Sequence, residues 1–279
     1  MENHKNRFHD HGHAQEYDRR AAQSEIRGQL VAKLVKELAL TGRERVLDLA
    51  TGTGRVARPV AERLKGGKIV GLDEALAMLR VAEEQREKEP IPGFLPAAGK
   101  AEAFPFRSGV FDRAFTVFAL HHFGDALSTV REALRVLKPG GRFVVLDPVL
   151  WMDMDALDAR VHERINEILN SGHGERFHYY TTPEIRELLI AAGFRDVGTE
   201  LSIFGFDQEG MEEIPTGRHW LEVAEQLRSE PAALRRRFAE RYFRYEKRGD
   251  KVHVRGNFYF ALVHGQKAKA KPSVRFQRV

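Results

Sequence analysis

The sequence predicts an α/β fold in which a parallel sheet is covered on both faces by helices. Three observations predict it. Between Arg45 and Pro148, short apolar runs alternate with segments of helical period. The first run, "RVLDL", leads into the glycine-rich turn "ATGTG" and then into "RVARPVAERL", so strand, tight turn and helix N-terminus follow one another. The length of 279 residues, 42% hydrophobic and 30% charged, suits a single globular domain.

The elements follow in order. "SEIRGQLVAKLVKELAL" carries Ile26, Leu30, Val31, Leu34, Val35 and Leu38 on one helical stripe, ended by Thr41-Gly42. The first strand covers Arg45–Ala50, and a helix follows Gly54, with Pro59 near its first turns, where proline costs least. "GKIVGLD" reads as a buried second strand, "EALAMLRVAEEQREKE" as a helix broken by "PIPG", and "FLPAAGKA" as a third strand. "DRAFTVFAL" is the fourth strand, "DALSTVREALRVL" a helix stopped by "KPGG", and "RFVVLDP" the fifth strand. Beyond Pro148, "MDMDALDARVHERINEIL" and "TPEIRELLIAAG" read as helices, "DVGTELSIFGF" and "GNFYFALVHGQ" as strands, and roughly Gly217–Arg248 as helical. The expected organisation is one domain. It has an N-terminal arm at 1–23, a core at 24–148, helical cap segments at 149–181 and 207–254, final core elements at 182–206 and 255–266, and a basic tail at 267–279.

Composition narrows the chemistry. With no cysteine, thiolate zinc sites and cysteine nucleophiles are excluded. No run approaches the ~18 to 20 apolar residues of a membrane span. The polar start "MENHKNRFHDHGH" has no secretory apolar core, so a cytoplasmic location is expected. Part of the excess behind the net charge of +5 sits in "ALRRRFAERYFRYEKR" and "KAKAKPSVRFQRV", read as a solvated helix face and a loose end.

The glycine turn decides the ligand class only in part. Gly52, Gly54 and Ala57 match G-x-G-x-x-G/A, which serves dinucleotides and S-adenosylmethionine (SAM) alike. Asp48, four residues before Gly52, places a carboxylate where a cationic amino group can be received. Asp73 ends the second strand and is placed to accept ribose hydroxyls, as an acid does in both kinds of site.

The strings that follow carry a resemblance. From about Arg45 to Pro148 the chain resembles the class I SAM-dependent methyltransferases. "DLATGTG" looks like the ubiquinone/menaquinone C-methyltransferase branch, "GKAEAFPF" is similar to its G-D-A-E-x-L-P-F, and "FALHHF" and "LKPGGRFVVLD" are similar to the ends of its fourth and fifth strands. The resemblance implies a Rossmann-like, seven-stranded, mostly parallel sheet whose last strand, "NFYFALVHG", is antiparallel, with helical cap insertions. It implies SAM across the ends of strands one and two, held by Asp48, Ala50, Gly52, Gly54, Asp73, Glu74, Lys100, Ala101 and Thr116, with Tyr17 as a lid and S-adenosylhomocysteine (SAH) as product. Two positions depart from the quinone branch. Lys100 stands where the family usually has an aspartate for the adenine amino group, a bond lysine cannot accept, and Arg55 stands where the quinone enzymes often have an acid. The block "ERFHYYTTPEIRELLIAAGF" and Trp220 look more like the wider set of small-molecule methyltransferases.

His121 and then His122, at the end of strand four, are the candidates for a base beside the transferred methyl. His173, Arg176, His178, Tyr180 and Trp220 are candidates to line an acceptor pocket. His9, Asp10, His11 and His13 have metal-ligand chemistry, but they lie in a terminal arm and no metal is expected. The expected function is methyl transfer to a small-molecule acceptor on oxygen, nitrogen or carbon. A SAM- or SAH-sensing binding protein and an RNA-modifying enzyme stay open, the latter permitted by the basic balance but lacking an N-P-P-Y signature or an appended RNA-binding module. Nucleic acid is not the expected partner, and monomer and homodimer are equally compatible with the sequence.

Overall fold

The computed structural model describes residues 8–152, 155–173, 177–210, 217–249 and 251–269. Helix α1 (His11–Gln23) opens the described chain, its N-terminus capped by Asp10, whose carboxylate accepts from His13 N at 2.7 Å. Ser24 caps α2 (Glu25–Glu37) in the same way. Leu30, Val31 and Leu34 of α2 are buried, with Ile26 and Val35 packed beside them, as the helical stripe requires.

Strand β1 (Arg45–Leu49) is followed by the glycine turn and the short helix α3 (Ala57–Ala61). Then come β2 (Lys68–Asp73), α4 (Leu76–Lys88), β3 (Phe94–Ala98) and β4 (Phe111–Val117). A single turn at Leu120–His122 leads to α5 (Ala126–Val136) and β5 (Leu137–Val149). The cap helix α6 (Ala156–His173) precedes α7 (Thr182–Ala192) and β6 (Arg195–Glu209). Finally α8 (Gly217–Gln226), α9 (Ala232–Arg241), β7 (Phe243–Arg248) and β8 (Lys251–Gln266) complete the described fold.

The sheet runs β3-β2-β1-β4-β5-β8-β6. Strands β1 to β5 pair in parallel, and β8 is antiparallel to both β5 and β6. Both faces are covered, so β1 and β4 are mostly buried, with Leu47, Leu49 and Phe115 fully enclosed. Each such side chain contributes about 1.5–3 kcal/mol of burial. Gly71 in β2 shows how closely the glycine turn packs: a Cβ there would sit 2.6 Å from Thr51 Oγ1 and 2.7 Å from the Phe94 ring.

The expected sheet is present, with an eighth strand added. Segment 207–254, read from sequence as helical, contains α8 and α9 but also the end of β6, all of β7 and the start of β8. β7 pairs antiparallel with β8, from Phe243 opposite Gly256 to Arg248 opposite Lys251. Its alternation is real, with Phe243 buried, Arg244 exposed and Tyr245 half-buried, but charged side chains on the outer face hide it.

The two basic runs are partly structural. Arg237 of α9 binds Asp155 and the buried Asp158 of α6, and so pins the two cap helices together. Lys267 Nζ donates to the carbonyls of Leu134, Arg135 and Leu137 at the end of α5. No helix among the described residues is long and apolar enough to cross a membrane.

Candidate active site

The parallel strands aim their carboxyl ends at one edge of the sheet, and the candidate site is built there. After β1 the chain turns through Ala50, at φ 57°, and Gly52, also at φ 57°. A Cβ on Gly52 would meet nothing within 4 Å, so the glycine serves the left-handed backbone and leaves the space above it open.

The turn borders a small recess lined by Tyr17, Arg27, Asp48, Ala50, Gly52 and Val117, among others. Tyr17, Asp48, Ala50 and Gly52 were singled out by sequence and come together here. Asp48 is buried, and its Oδ2 accepts from Thr51 Oγ1 at 2.7 Å. Burial pushes its pKa up to about 8 against the Thr51 hydrogen bond; nearby Asp73 raises it further and Arg27 lowers it.

Asp73, at the end of β2, accepts from Gly52 N at 2.7 Å and from Ala75 N at 2.8 Å, and burial raises its pKa. Its two oxygens thus fix the glycine turn and the start of α4, and each keeps a lone pair for a further donor. Gly54 packs against the Phe94 ring. Thr116 is fully buried in β4 with no partner for its Oγ1 among the described residues, and Val117, one residue on, lines the recess. Glu74 and Lys100 are exposed; the Lys100 carbonyl accepts from Ala103 N in a small turn that includes Ala101.

Helix α1 lies over this edge. Asp18, only 3% exposed, accepts from Arg55 through both oxygens, at 2.7 and 2.5 Å, and from Gln85 at 3.1 Å. Ala14 and Tyr17 pack with Met78 and Val81 of α4. In the N-terminal cluster, His11 faces Glu84 at 3.1 Å and Asp10 caps the helix.

The His pair sits on the single turn after β4. His121 is buried, and its Nδ1 lies 2.8 Å from Asp147 Oδ2, which also accepts from the His121 backbone N at 3.1 Å. Asp147, on β5, is fully buried, and its Oδ1 has no hydrogen-bond partner among the described residues. The rings of Phe177 and Tyr179 both stand 5.2 Å from the His121 ring. The His122 ring lies tilted beside that of His121 at 4.1 Å and meets Phe8 at 5.7 Å.

The proposed acceptor residues divide. His178 N donates to the His121 carbonyl at 2.9 Å, and its ring stands 4.5 Å from that of Tyr180. Burial lowers the His178 pKa and pushes Tyr180 up to about 12, with Asp147, Glu184 and Asp125 adding to the latter. Trp220 is buried in the cap between Tyr179 and Tyr242, stacked at 6.0 and 5.3 Å. Arg176 lies outside the described residues, and of His173 only the backbone, at the end of α6, is described.

Three residues at this site were not singled out by sequence. Arg27 reads as the polar side of an amphipathic helix, and Asp18 as one more charge in the arm. Asp147 could have been found: β4 and β5 are neighbours in this fold, so an acid ending the fifth strand lies beside the turn that ends the fourth.

The geometry can be set beside known proteins. A methyltransferase-domain family model matches residues 47–145. The demethylmenaquinone methyltransferase of Thermus thermophilus is 37% identical over 176 residues, which cover 58% of this chain and 79% of that relative. The chain belongs to the SAM-dependent methyltransferases. The structure of the YcgJ protein of Bacillus subtilis superposes on this methyltransferase with a TM-score of 0.69 at 20% identity, covering 87% of this chain and all of that one. A phosphoethanolamine N-methyltransferase of Haemonchus contortus, in complex with SAM, gives a TM-score of 0.60 at 19% identity, covering 93% of this chain and 58% of that one. The methyltransferase uses SAM as its cofactor, and the recess suits it. It offers a buried acid that makes no ion pair among the described residues, a guanidinium, and an open glycine turn beside Asp73.

Proposed function

We propose that this methyltransferase acts on a small-molecule acceptor, with His121 as general base and Asp147 as the residue that positions it. The hydrogen bond of 2.8 Å between His121 Nδ1 and buried Asp147 carries the reading. A carboxylate only accepts, so Asp147 draws the imidazole proton to Nδ1 and leaves Nε2 as the basic nitrogen. The Asp147 contact with the His121 backbone N holds the turn as well as the ring. SAM, when bound, supplies a methyl group on a sulfonium and is left as SAH.

The chain's own task is then to orient the acceptor, exclude water and take a proton. The Phe177 and Tyr179 rings wall His121, and the His178 backbone bond ties that wall to the turn that carries it. The α1 helix covers the neighbouring recess. A site closed in by these elements suits a small acceptor better than a polymer. We extend the class of acceptor from the Thermus relative, whose name makes a demethylated naphthoquinol the first compound to test.

The test is SAH release with a panel of phenols, naphthoquinols and amines. His121→Ala is expected to lower turnover roughly 10²- to 10⁴-fold, to leave SAM affinity unchanged, and to lose the limb of the pH–rate profile that belongs to the base. Retention of most activity would mean that alignment alone drives transfer. Loss of SAM affinity would make His121 part of the cofactor scaffold.

A further inference from the structure

We infer that the outer edge of β6 is a contact between two copies of this chain, paired antiparallel about Ser202. β6 ends the sheet: among the described residues it pairs with β8 and with no other strand. Alternate N–H and C=O groups along its other side therefore have no ladder partner there. Proteins ordinarily blunt such an edge with charge, proline, bulges or short length. β6 is long, Arg195–Glu209, and its defences sit at its ends. The register shifts between Arg195 and Gly198, where Asp196 adopts φ 51°, and acids stand at Asp207 and Glu209.

The middle of the strand is different. From Gly198 to Phe206 it reads "GTELSIFGF", with Glu200 its one charge. Glu200 is held by Lys33 of α2 at 2.7 Å, and Lys33 Nζ also donates to Ser202 Oγ at 2.8 Å. The open stretch is thus locally neutral and fixed to α2. On its opposite face Ile203 is 51% exposed, beside the half-buried Leu201.

A second copy is the occupant that these features fit. The exposed Arg195 begins the strand, and Asp207 and Glu209 end it. The two acids meet His253, Arg255 and Lys251 of β8, and their carboxylates can accept from a further guanidinium. Antiparallel pairing sets these unlike ends together, whereas parallel pairing sets like beside like. In the register centred on Ser202, Leu201 of each copy lies opposite Ile203 of the other, and Gly198 lies opposite Phe206. The four aliphatic side chains form one patch across the two-fold axis and cover the exposed isoleucines. No like charges face each other directly in that register. Each copy contributes about nine residues, against the ~20–30 of a standard interface, so the dimer is weak, with a dissociation constant of roughly 1–100 μM.

Sedimentation of the full chain through that concentration range is expected to show a reversible monomer–dimer equilibrium. Ile203→Lys, which puts a charge on the apolar patch, is expected to weaken the dimer roughly 100-fold and to leave SAH affinity unchanged. The chain has no cysteine, so single thiols report the register. Ser202→Cys sets two thiols across the axis with Cα atoms ~4.5–5.5 Å apart, within reach of a disulfide. Thr199→Cys is more exposed, but in the paired edge its two copies stand ~20 Å apart. Random collision oxidises Thr199→Cys first; the paired edge oxidises Ser202→Cys first. A monomer throughout the range overturns the proposal. So does a dimer that survives Ile203→Lys, or faster cross-linking through Thr199→Cys. If Ile203→Lys loses SAH binding, the order of cross-linking decides by itself.

Discussion

Replacing Asp48 by asparagine is expected to stabilise the ligand-free protein while removing cofactor binding. Asp48 is buried at the end of β1, and desolvation pushes its pKa up to about 8. In the unfolded chain an aspartate ionises near ~3.9. Between those two values the folded state holds a proton that the unfolded state has released, so the stability owed to this group is complete below ~4 and is lost as pH rises through about 8. Each pH unit inside that window is worth about 1.4 kcal/mol, so moving from pH 5 to pH 7 removes about 3 kcal/mol. Asparagine keeps an oxygen for Thr51 Oγ1 and does not titrate. Urea denaturation of both proteins at pH 5 and pH 7 measures the effect, with SAH calorimetry alongside. The wild type should lose about 3 kcal/mol relative to the variant between those pH values. Equal pH dependence in the two proteins, or a variant less stable at pH 7, would refute the reasoning. The same residue acts in the opposite sense on the ligand. An ammonium needs the ionised acid, so binding at pH 7 should expel a proton, seen as a binding heat that follows the ionisation enthalpy of the buffer.

Two further outcomes follow from the surroundings of the recess. Lys100 is exposed and meets its neighbours through the backbone, so Lys100→Asp should leave SAH affinity equal or tighter by calorimetry; a tenfold weakening would give the lysine a positive role. Arg55→Met leaves the buried Asp18 with Gln85 as its remaining side-chain hydrogen-bond donor among the described residues, so limited proteolysis within residues 11–23 should accelerate roughly ten- to hundredfold. An unchanged cleavage rate would show that packing of α1 on α4 holds the helix without the ion pair.

The sheet up to β5 was legible because its strands are apolar runs bounded by glycine and proline, the pattern left by burial on two faces. β7 was not, because "FRYEKR" buries one face only and follows a helix without a turn signal. At the site, the glycine turn and its two acids were legible from spacing. The contacts that join distant parts of the chain were not. Asp18 with Arg55 spans 37 positions and Arg27 with Tyr17 spans 10, and a charged residue on a helix looks the same in sequence whether it meets water or a ligand. Asp147 shows the intermediate case, since it becomes predictable once the strand order is known.

The order of strands also bears on how the chain reaches this fold. β8 is the last described strand in sequence, yet it lies inside the sheet, between β5 and β6. Until Lys251–Gln266 has been synthesised, β5 and β6 each present an unpaired edge, and β5 is apolar along most of its length. Such edges invite pairing with other chains. Closure joins segments more than a hundred residues apart, Arg142 to Gln266 among them, the kind of long-range pairing that slows folding. The emerging polypeptide therefore carries its greatest aggregation hazard late in synthesis, after the nucleotide-binding half is complete, and that interval is when a chaperone would have most to shield.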